Sequence, residues 1–217
     1  MQSGWVQRDT NTAALLCVAG GIADAIGYVQ SGVFAANMTG NTVLTGISLA
    51  SADFGTALER ALTFVTFFAG AMIGRLSLRF ARSAWLPLLV EALVLAVSSF
   101  MAHQQALAVL CIAFAMGIQA TAITRFKGAA ISTIVLTSTL ARLAEATLDF
   151  LARHRVLATV NQSSPAALMA ITWIAYAVGA LLAVLLLKVT TAPLLVASAI
   201  VLTLSWSYWR AGANIAQ

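Results

Sequence analysis

Charged residues are scarce in this 217-residue chain, in which Asp, Glu, Lys and Arg together make up 9%. A soluble domain carries roughly 25% charged residues. Hydrophobic residues instead reach 61%, and the mean hydropathy is +0.93. So many apolar side chains do not fit into one water-soluble core of this size. The composition excludes an ordinary soluble domain and predicts an all-α integral membrane protein with nearly all of its mass in the bilayer.

Cysteine is also rare, and both cysteines, Cys17 and Cys111, lie in apolar runs without a CxxC pattern or metal-ligand spacing. The chain contains no HExxH, GxSxG or Walker motif and no carboxylate cluster. We therefore expect no enzyme activity, no catalytic residue, no metal and no cofactor. The net charge of +5 comes from basic residues spread along the chain. This spread indicates Lys and Arg on the cytoplasmic side rather than nucleic-acid binding.

Long apolar runs make up most of the chain. Six are long enough, or nearly so, to cross a hydrocarbon layer of about 30 Å: residues 12–33, 57–78, 84–102, 105–124, 166–187 and 191–209. The first run resembles a secretory signal, but its 22 residues exceed the usual apolar core of about 7–15. It also contains Asp24. We expect it to be retained as the first span.

Two further segments are too short or too polar to be ordinary spans. Residues 37–50 overlap the uncharged stretch VFAANMTGNTVLTG at 33–46, which is rich in asparagine, threonine and glycine. Residues 131–139 read ISTIVLTST and lead into LARLAEATLDFLARHR, whose pattern predicts an amphipathic helix at the membrane interface. Because backbone polar groups in lipid need internal partners, we expect both segments to be surrounded by protein or to line a water-filled cavity.

The two halves of the chain carry similar features in the same order, which predicts a tandem duplication inside a single transmembrane domain of residues 1–217. The matching segments are PLLV at 87–90 and 193–196, FFAGAMIG at 67–74 and AYAVGALLA at 175–183, GGIADA at 20–25 and MGIQAT at 116–121, and NMTGN at 37–41 and VLTST at 135–139. These matches place repeat one at about 12–102 and repeat two at about 105–209.

The distribution of basic residues separates two topologies. If both polar segments dip into the membrane and return, each half has three spans and the halves are inverted. With a cytoplasmic N-terminus, ten of the 12 Lys and Arg residues then lie inside, leaving Arg60 and Lys188 outside. The positive-inside rule therefore favours six transmembrane helices as a 3+3 inverted repeat with two short polar half-membrane segments. Eight helical segments in a 4+4 parallel repeat remain the alternative, because such counting is weak evidence for short hairpins.

The polar segments supply most candidates for a substrate-binding site. These candidates are Asn37, Thr39, Gly40, Asn41, Thr137 and Thr139. An Asn or Thr can cap the helix that follows the first segment, and Gly40 lets the backbone turn or approach another helix. A helix N-terminus near the midplane offers free N–H groups to an anion or a dipolar solute. The other interpretation is that these residues serve helix packing.

Asp24 has the sharpest chemistry, because it is the thirteenth of the 22 residues in the first run and therefore near the bilayer centre. A carboxyl group there costs on the order of 3 kcal/mol. It is either a proton relay or substrate anchor, or the partner in a structural hydrogen bond. Glu91 also lies at lipid depth, and Gln119 stands beside Asp24 in the repeat alignment. Arg125 and Arg142 flank the second polar segment, where they pair with an acid, hold an anion or anchor the interface.

The segment GGIADAIGYVQSGVFAANMTGN at 20–41 resembles the DUF1275 family of bacterial membrane proteins, also called the YoaK or UPF0700 family. The first family pattern is matched by Gly21, Asp24, Ala25, Gly27, Phe34, Met38, Thr39, Gly40 and Asn41. A later pattern is matched from Met116 to Glu145, except that Ala120 replaces an expected Asn and Ser138 an expected Gly. The resemblance covers nearly the whole chain. It implies a bacterial multispanning membrane protein and implies no substrate.

These features predict a small secondary transporter or permease for an unidentified small polar solute, with proton coupling through Asp24. We expect it in the bacterial inner membrane with the N-terminus in the cytoplasm. Six spans are few for a solute pathway, which favours a homodimer. Two alternatives remain open: a passive channel with a polar filter at the repeat interface, and a non-transport membrane scaffold or accessory subunit.

Overall fold

The computed structural model describes the backbone of residues 2–101, 103–123, 125–126, 129–130 and 165–212, and the single positions 141, 144, 145 and 148. Side chains are described for residues 10–101, 103–123 and 167–212 and for those single positions. Seven helices occur in this part of the chain. They are α1 (Gln2–Ser31), α2 (Met38–Ala50), α3 (Phe54–Ala81), α4 (Trp85–Ser99), α5 (Gln105–Ala122), α6 (Pro165–Val189) and α7 (Leu194–Ala211).

Each of the six predicted apolar runs is a helix. Five helices are long and apolar enough to cross a membrane, and these are α1, α3, α5, α6 and α7. The sixth, α4, has 15 residues and is about 22 Å long at 1.5 Å per residue, which is less than the hydrocarbon thickness. It is shorter than the predicted run 84–102 because the chain turns after Ser99, where the N–H groups of Phe100 and Met101 bond the carbonyl oxygens of Val97 and Ser98 (both 3.1 Å).

The chain reverses direction between α1 and α2. Gly32 adopts a left-handed φ of +69°, a conformation that glycine reaches without steric cost. Residues 33–37, which we call the return loop, then run back along α1. The reversal is fixed by a hydrogen bond from the backbone N–H of Ala36 to Oδ1 of Asp24 (2.7 Å). As a result, α2 begins beside Asp24, in the last third of α1.

The first polar segment therefore forms a short helix that returns toward the end of α1. Arg60 on α3 donates to the carbonyl oxygen of Leu44 (2.7 Å) and to Oγ of Ser48, both on α2. The same guanidinium lies 3.5 Å from the carbonyl oxygen of Gly32. With 13 residues, α2 is about 20 Å long. It starts at the level of Asp24, and its midpoint at Leu44 lies beside the turn at Gly32, where Arg60 reaches both carbonyl oxygens.

Helices α1 and α6 cross at two glycines. A Cβ atom on Gly21 would overlap the carbonyl oxygen of Tyr176, and one on Gly179 would overlap the carbonyl oxygen of Val18. Glycine at both positions allows the two backbones to approach more closely than side chains permit, as at many helix crossings in membranes.

A second crossing, between α3 and α5, uses two further glycines in the same way. A Cβ atom on Gly117 would overlap the carbonyl oxygen of Phe67, and one on Gly70 would overlap that of Phe114. The two crossings correspond residue by residue. An offset of 96 residues relates Val18 to Phe114 and Gly21 to Gly117, and an offset of 109 relates Phe67, Gly70 and Ala71 to Tyr176, Gly179 and Ala180.

The remaining pair, α4 and α7, is joined by serine hydroxyls. Ser198 donates to the carbonyl oxygen of Ala92 (2.7 Å), and Ser205 donates to that of Trp85 (2.7 Å). Because the contact moves backward along α4 as it moves forward along α7, the two helices are antiparallel. A hydrophobic core of buried side chains from α1, α4, α5, α6, α7 and the return loop joins these pairs.

One feature departs from the predicted all-α architecture. Arg125–Phe126 and Ala129–Ala130 form two antiparallel strands, β1 and β2, with Arg125 opposite Ala130. Two residues per strand are too few to show the alternation by which strands are read from sequence. The predicted second polar segment, residues 131–139, lies outside the described residues. The predicted amphipathic helix does too, apart from helical backbone at positions 141, 144, 145 and 148.

Candidate functional site

Asp24 is the centre of the candidate site. Its Oδ1 accepts hydrogen bonds from the backbone N–H groups of Ala36 (2.7 Å) and Asn37 (3.3 Å), and its Oδ2 accepts one from the hydroxyl of Tyr176 (2.6 Å). Only 6% of the residue is exposed. One carboxyl group thus joins α1, the return loop and α6.

Asn41 binds the return loop from the other side. Its Oδ1 accepts from the backbone N–H of Phe34 (2.9 Å), and its Nδ2 donates to the carbonyl oxygen of the same residue (2.6 Å). The side chain is fully buried. Asp24 and Asn41 therefore bind the same return loop from two sides. A solute that bound the Asn41 side chain would have to replace its hydrogen bonds to Phe34.

The other residues of the first polar segment lie at the start of α2. Asn37 caps this helix, as predicted, because its Oδ1 accepts from the backbone N–H of Gly40 (3.0 Å). A Cβ atom on Gly40 would press on the Asn37 side chain and on Phe34. Asn37 and Thr39 reach the surface. The N-terminus of α2 thus presents polar groups on an open face close to Asp24.

The spacing G-x-x-D-A-x-G has a physical explanation in α1. Residues three apart lie close together on a helix surface. Gly21 allows the close approach of α6, and Asp24 bonds both α6 and the return loop. A Cβ atom on Gly27 would lie 3.2 Å from the carbonyl oxygen of Val33, so this glycine leaves room for the loop. One face of α1 therefore contacts both α6 and the return loop.

Two predicted candidates lie apart from this centre. Gln119 on α5 is 1% exposed and donates from Nε2 to the carbonyl oxygen of Leu16 on α1 (3.0 Å). Glu91 on α4 is fully buried. By the offset of 96 that relates the glycine crossings, Ala120 rather than Gln119 corresponds to Asp24. The aligned segments 20–25 and 116–121 have this same offset, so Gln119 stands opposite Ala23, next to Asp24.

The second half of the predicted site is described only in part. Arg125 lies in β1, of which the backbone is described. The remaining candidates, Thr137, Thr139 and Arg142, lie outside the described residues. Among the residues that the structure describes, His, Cys, Asp and Glu side chains form no group of three that could hold a metal ion.

Sequence reasoning missed two residues of the site. Tyr176 is a lone hydroxyl in an apolar run, and its pairing with Asp24 spans 152 residues. From the sequence, Arg60 is identified only as a positive charge on the outer side of the membrane. In the structure it binds the C-terminal half of α2. The one signal for Tyr176 was a polar atom three residues before Gly179, at a depth where lipid offers it no partner.

Comparison with known proteins identifies the chain. A family model described as "Protein of unknown function (DUF1275)" matches residues 12–207. The chain belongs to the DUF1275 family. Over 144 residues, this DUF1275 chain is 35% identical to the UPF0700 transmembrane protein YoaK of Bacillus subtilis (strain 168). The aligned region covers 61% of the chain and 64%, less than two thirds, of that relative.

The family match and the helices agree on the class of protein. The DUF1275 chain is a multi-pass membrane protein, since it has five helices able to span a membrane and a transmembrane relative. No solved structure matches it.

Arg60→Ala is expected to loosen α2 in this DUF1275 protein. The substitution removes charge-assisted hydrogen bonds to two groups of α2, at a cost of about 1.5–3 kcal/mol. Lysine keeps the charge but lacks the planar fork, so Arg60→Lys should restore only part of the loss. Hydrogen–deuterium exchange of the α2 amides in detergent measures the effect. The matched control is Arg75→Ala, which removes an exposed charge from the same helix. Equal exchange in the two alanine variants would contradict the prediction.

Proposed function

We propose that the protein is a small secondary transporter or permease for a small polar solute, coupled to protons through Asp24. One observation carries the proposal. The Asp24 carboxyl group, two turns before the end of the membrane-spanning helix α1, holds the return loop and α6 with three hydrogen bonds. An ionisable residue within a membrane span is costly, and such residues commonly mark ion and proton pathways.

The hydrogen bonds suggest how a proton acts on the loop. A carboxylate only accepts hydrogen bonds, whereas a protonated carboxyl group turns one oxygen into a donor. The two backbone partners of Asp24 can only donate, whereas the Tyr176 hydroxyl can also accept. A proton on Oδ1 would therefore compete with the bonds from Ala36 and Asn37 and weaken the attachment of the return loop to α1, whereas a proton on Oδ2 would be donated to Tyr176. A two-state movement of the loop would then follow the protonation state.

The polar face at the start of α2 is our proposed solute contact. The side chains of Asn37 and Thr39 stand at a helix N-terminus, whose partial positive charge favours an anionic or dipolar group. Loosening of the return loop would change this polar face directly, because Asn37 belongs both to the loop and to the face. From the second half we assign Thr137, Thr139, Arg125 and Arg142 to the same site.

A 3+3 inverted repeat is the architecture that we propose around this site. The two glycine crossings, related by constant offsets, support two halves that exchange partners, since each crossing pairs a span of one half with a span of the other. The return of α2 toward the end of α1 supports a half-membrane segment rather than a crossing. On this basis we propose six spans with a cytoplasmic N-terminus, a location in the bacterial inner membrane, and a homodimer.

Uptake into proteoliposomes tests the proposal. We would use glycine, glycerol and inorganic phosphate as zwitterionic, neutral and anionic probes, with a pH-sensitive dye inside the vesicles. An imposed pH gradient should drive uptake of one probe class, and Asp24→Asn should abolish the dependence on the gradient. Glu59→Gln, which neutralises a partly exposed acid on α3, serves as the matched control.

Two other results of the uptake experiment would each support one of the alternative functions. Flux of a probe down its own gradient, unaffected by pH and by Asp24→Asn, would identify a passive channel. No flux for any probe, together with co-purification of a fixed partner in stoichiometric amount, would identify a scaffold or accessory subunit.

A further inference from the structure

Glu91 is a buried acid without a hydrogen-bond partner among the described residues. The side chain is fully buried on α4, and neither Oε1 nor Oε2 accepts a hydrogen bond from any described group. Removing a carboxyl group from water without hydrogen bonds costs several kcal/mol, and buried polar groups are nearly always paired with protein or ordered water. Since no described protein group satisfies Glu91, we look to water or a proton-bearing ligand as its partner.

Two buried hydroxyl groups near the two ends of α4 share this property. Ser83, just before the helix, and Ser99, at its end, are 6% and 5% exposed, and their Oγ atoms have no partner among the described residues. Ser99 is eight residues after Glu91, about 12 Å along α4 and about 80° around it. Ser83 is eight residues before Glu91, in the turn that precedes the helix. Unpaired polar groups therefore occur near both ends of α4 and at its middle.

The helices packed against α4 do not neutralise Glu91. They are α3, α5 and α7, and their titratable side chains are Glu59, Arg60, Arg75, Arg79, Cys111, Tyr208 and Arg210. None of these groups bonds Glu91. A neighbouring polar side chain with an assigned bond is Ser198 on α7, which donates to the carbonyl oxygen of Ala92 (2.7 Å). A serine hydroxyl can still accept a bond from water.

We propose that Glu91 binds and releases protons inside the membrane, served by water that reaches it past Ser83 at one end of α4 and Ser99 at the other. The step is a simple proton transfer: a water chain delivers the proton to a carboxylate oxygen, and the neutral acid returns it to water on the other side. This inference deepens the proposed transporter, on which it rests, by adding a second proton-binding carboxyl group. Its chemistry is separate from that of Asp24, because Asp24 acts through the return loop and Glu91 makes no bond to that loop.

Infrared spectroscopy of the full chain in proteoliposomes tests the proposal. The wild type should show a carboxylic acid C=O band that shifts on transfer to heavy water. Glu91→Gln should lose this band, while Asp24→Asn and Glu59→Gln should keep it. A dry, sealed Glu91 would instead give a band that heavy water leaves unshifted, and that result would overturn the proposal. The wild-type measurement needs no variant to fold.

Proton influx driven by a potassium diffusion potential gives the second readout. Glu91→Gln should lower the rate by about a hundredfold, in the range expected for loss of a positioned proton-transfer group, and Glu91→Asp should retain most of it. Ser99→Ala should slow heavy-water exchange of the band. Equal proton influx in Glu91→Gln and wild type would refute the role of Glu91. That outcome would leave gradient-driven solute uptake through Asp24 untouched, so the two proposals can fail separately.

Discussion

Asp24→Ala is expected to detach the return loop from α1 and α6. The substitution removes the acceptor of three hydrogen bonds, which leaves the buried Ala36 N–H and the hydroxyl of the half-buried Tyr176 without this partner. Each orphaned group costs about 1–3 kcal/mol, and hydrogen bonds to a charged group are the stronger ones. We therefore expect a loss of about 3–5 kcal/mol in the free energy of unfolding. Hydrogen–deuterium exchange at Ala36 and Asn37 should rise together with this loss.

The hydroxyl of Tyr176 can be tested alone. Tyr176→Phe should lose about 1.5–3 kcal/mol and should add little to Asp24→Ala in the double variant, because both remove the same bond. Tyr28→Phe is the matched control, since this tyrosine is 44% exposed and contributes its ring, which stacks on Phe34 with centroids 4.3 Å apart. If Tyr28→Phe destabilised the protein as much as Tyr176→Phe, the special role of the buried hydroxyl would be lost.

Gly117→Ala is expected to force α3 and α5 apart. The added Cβ atom would overlap the backbone carbonyl of Phe67, and a backbone at a helix crossing moves less easily than a flexible side chain. Overpacking of this kind costs about 1–3 kcal/mol and occasionally more, and we expect the upper end of that range. Gly21→Ala should cost about the same at the α1–α6 crossing, because its Cβ atom would also overlap a backbone carbonyl oxygen, that of Tyr176. Steric-trapping measurements in bicelles would give both values.

Gly46→Ala is the control for this pair. Gly46 lies within α2, and a Cβ atom added there would have open space around it, with no neighbouring group within 4 Å. Alanine in a helix interior is more favourable than glycine by about 0.5–1 kcal/mol, so this variant should be neutral or slightly stabilised. A large difference between Gly117→Ala and Gly21→Ala would argue against equivalent crossings and therefore against the repeat.

Much of the fold was predictable because the composition of a segment alone shows whether it can span lipid as a helix. A run of about 20 apolar residues needs no partner to be recognised as a span, and all six runs are helices. The cap at Asn37 was also predictable, since the side chain and the N–H group that it accepts from are three residues apart. The length of α4 was not, because its end depends on the turn after Ser99 rather than on hydrophobicity.

The candidate site was predictable as a set of polar residues and not as a set of contacts. Asp24 and Asn41 stand out because polar side chains are costly at membrane depth. Their shared target, the backbone of the return loop, carries no side-chain signal, since every residue in it has the same N–H and C=O groups. Gln119, which the repeat alignment sets beside Asp24, bonds Leu16 two turns earlier on α1.

The amino-acid sequence by itself determined the membrane class, the number and position of the apolar helices, the family and the polar character of residues 37–41. Each of these follows from neighbours along the chain. Only the tertiary structure decided that Tyr176 meets Asp24 across 152 residues, that Arg60 holds α2, and that Glu91 has no partner among the described residues. The register at which two apolar helices cross is set by backbone approach at a few glycines, and that approach joins residues whose separation along the chain carries no pattern.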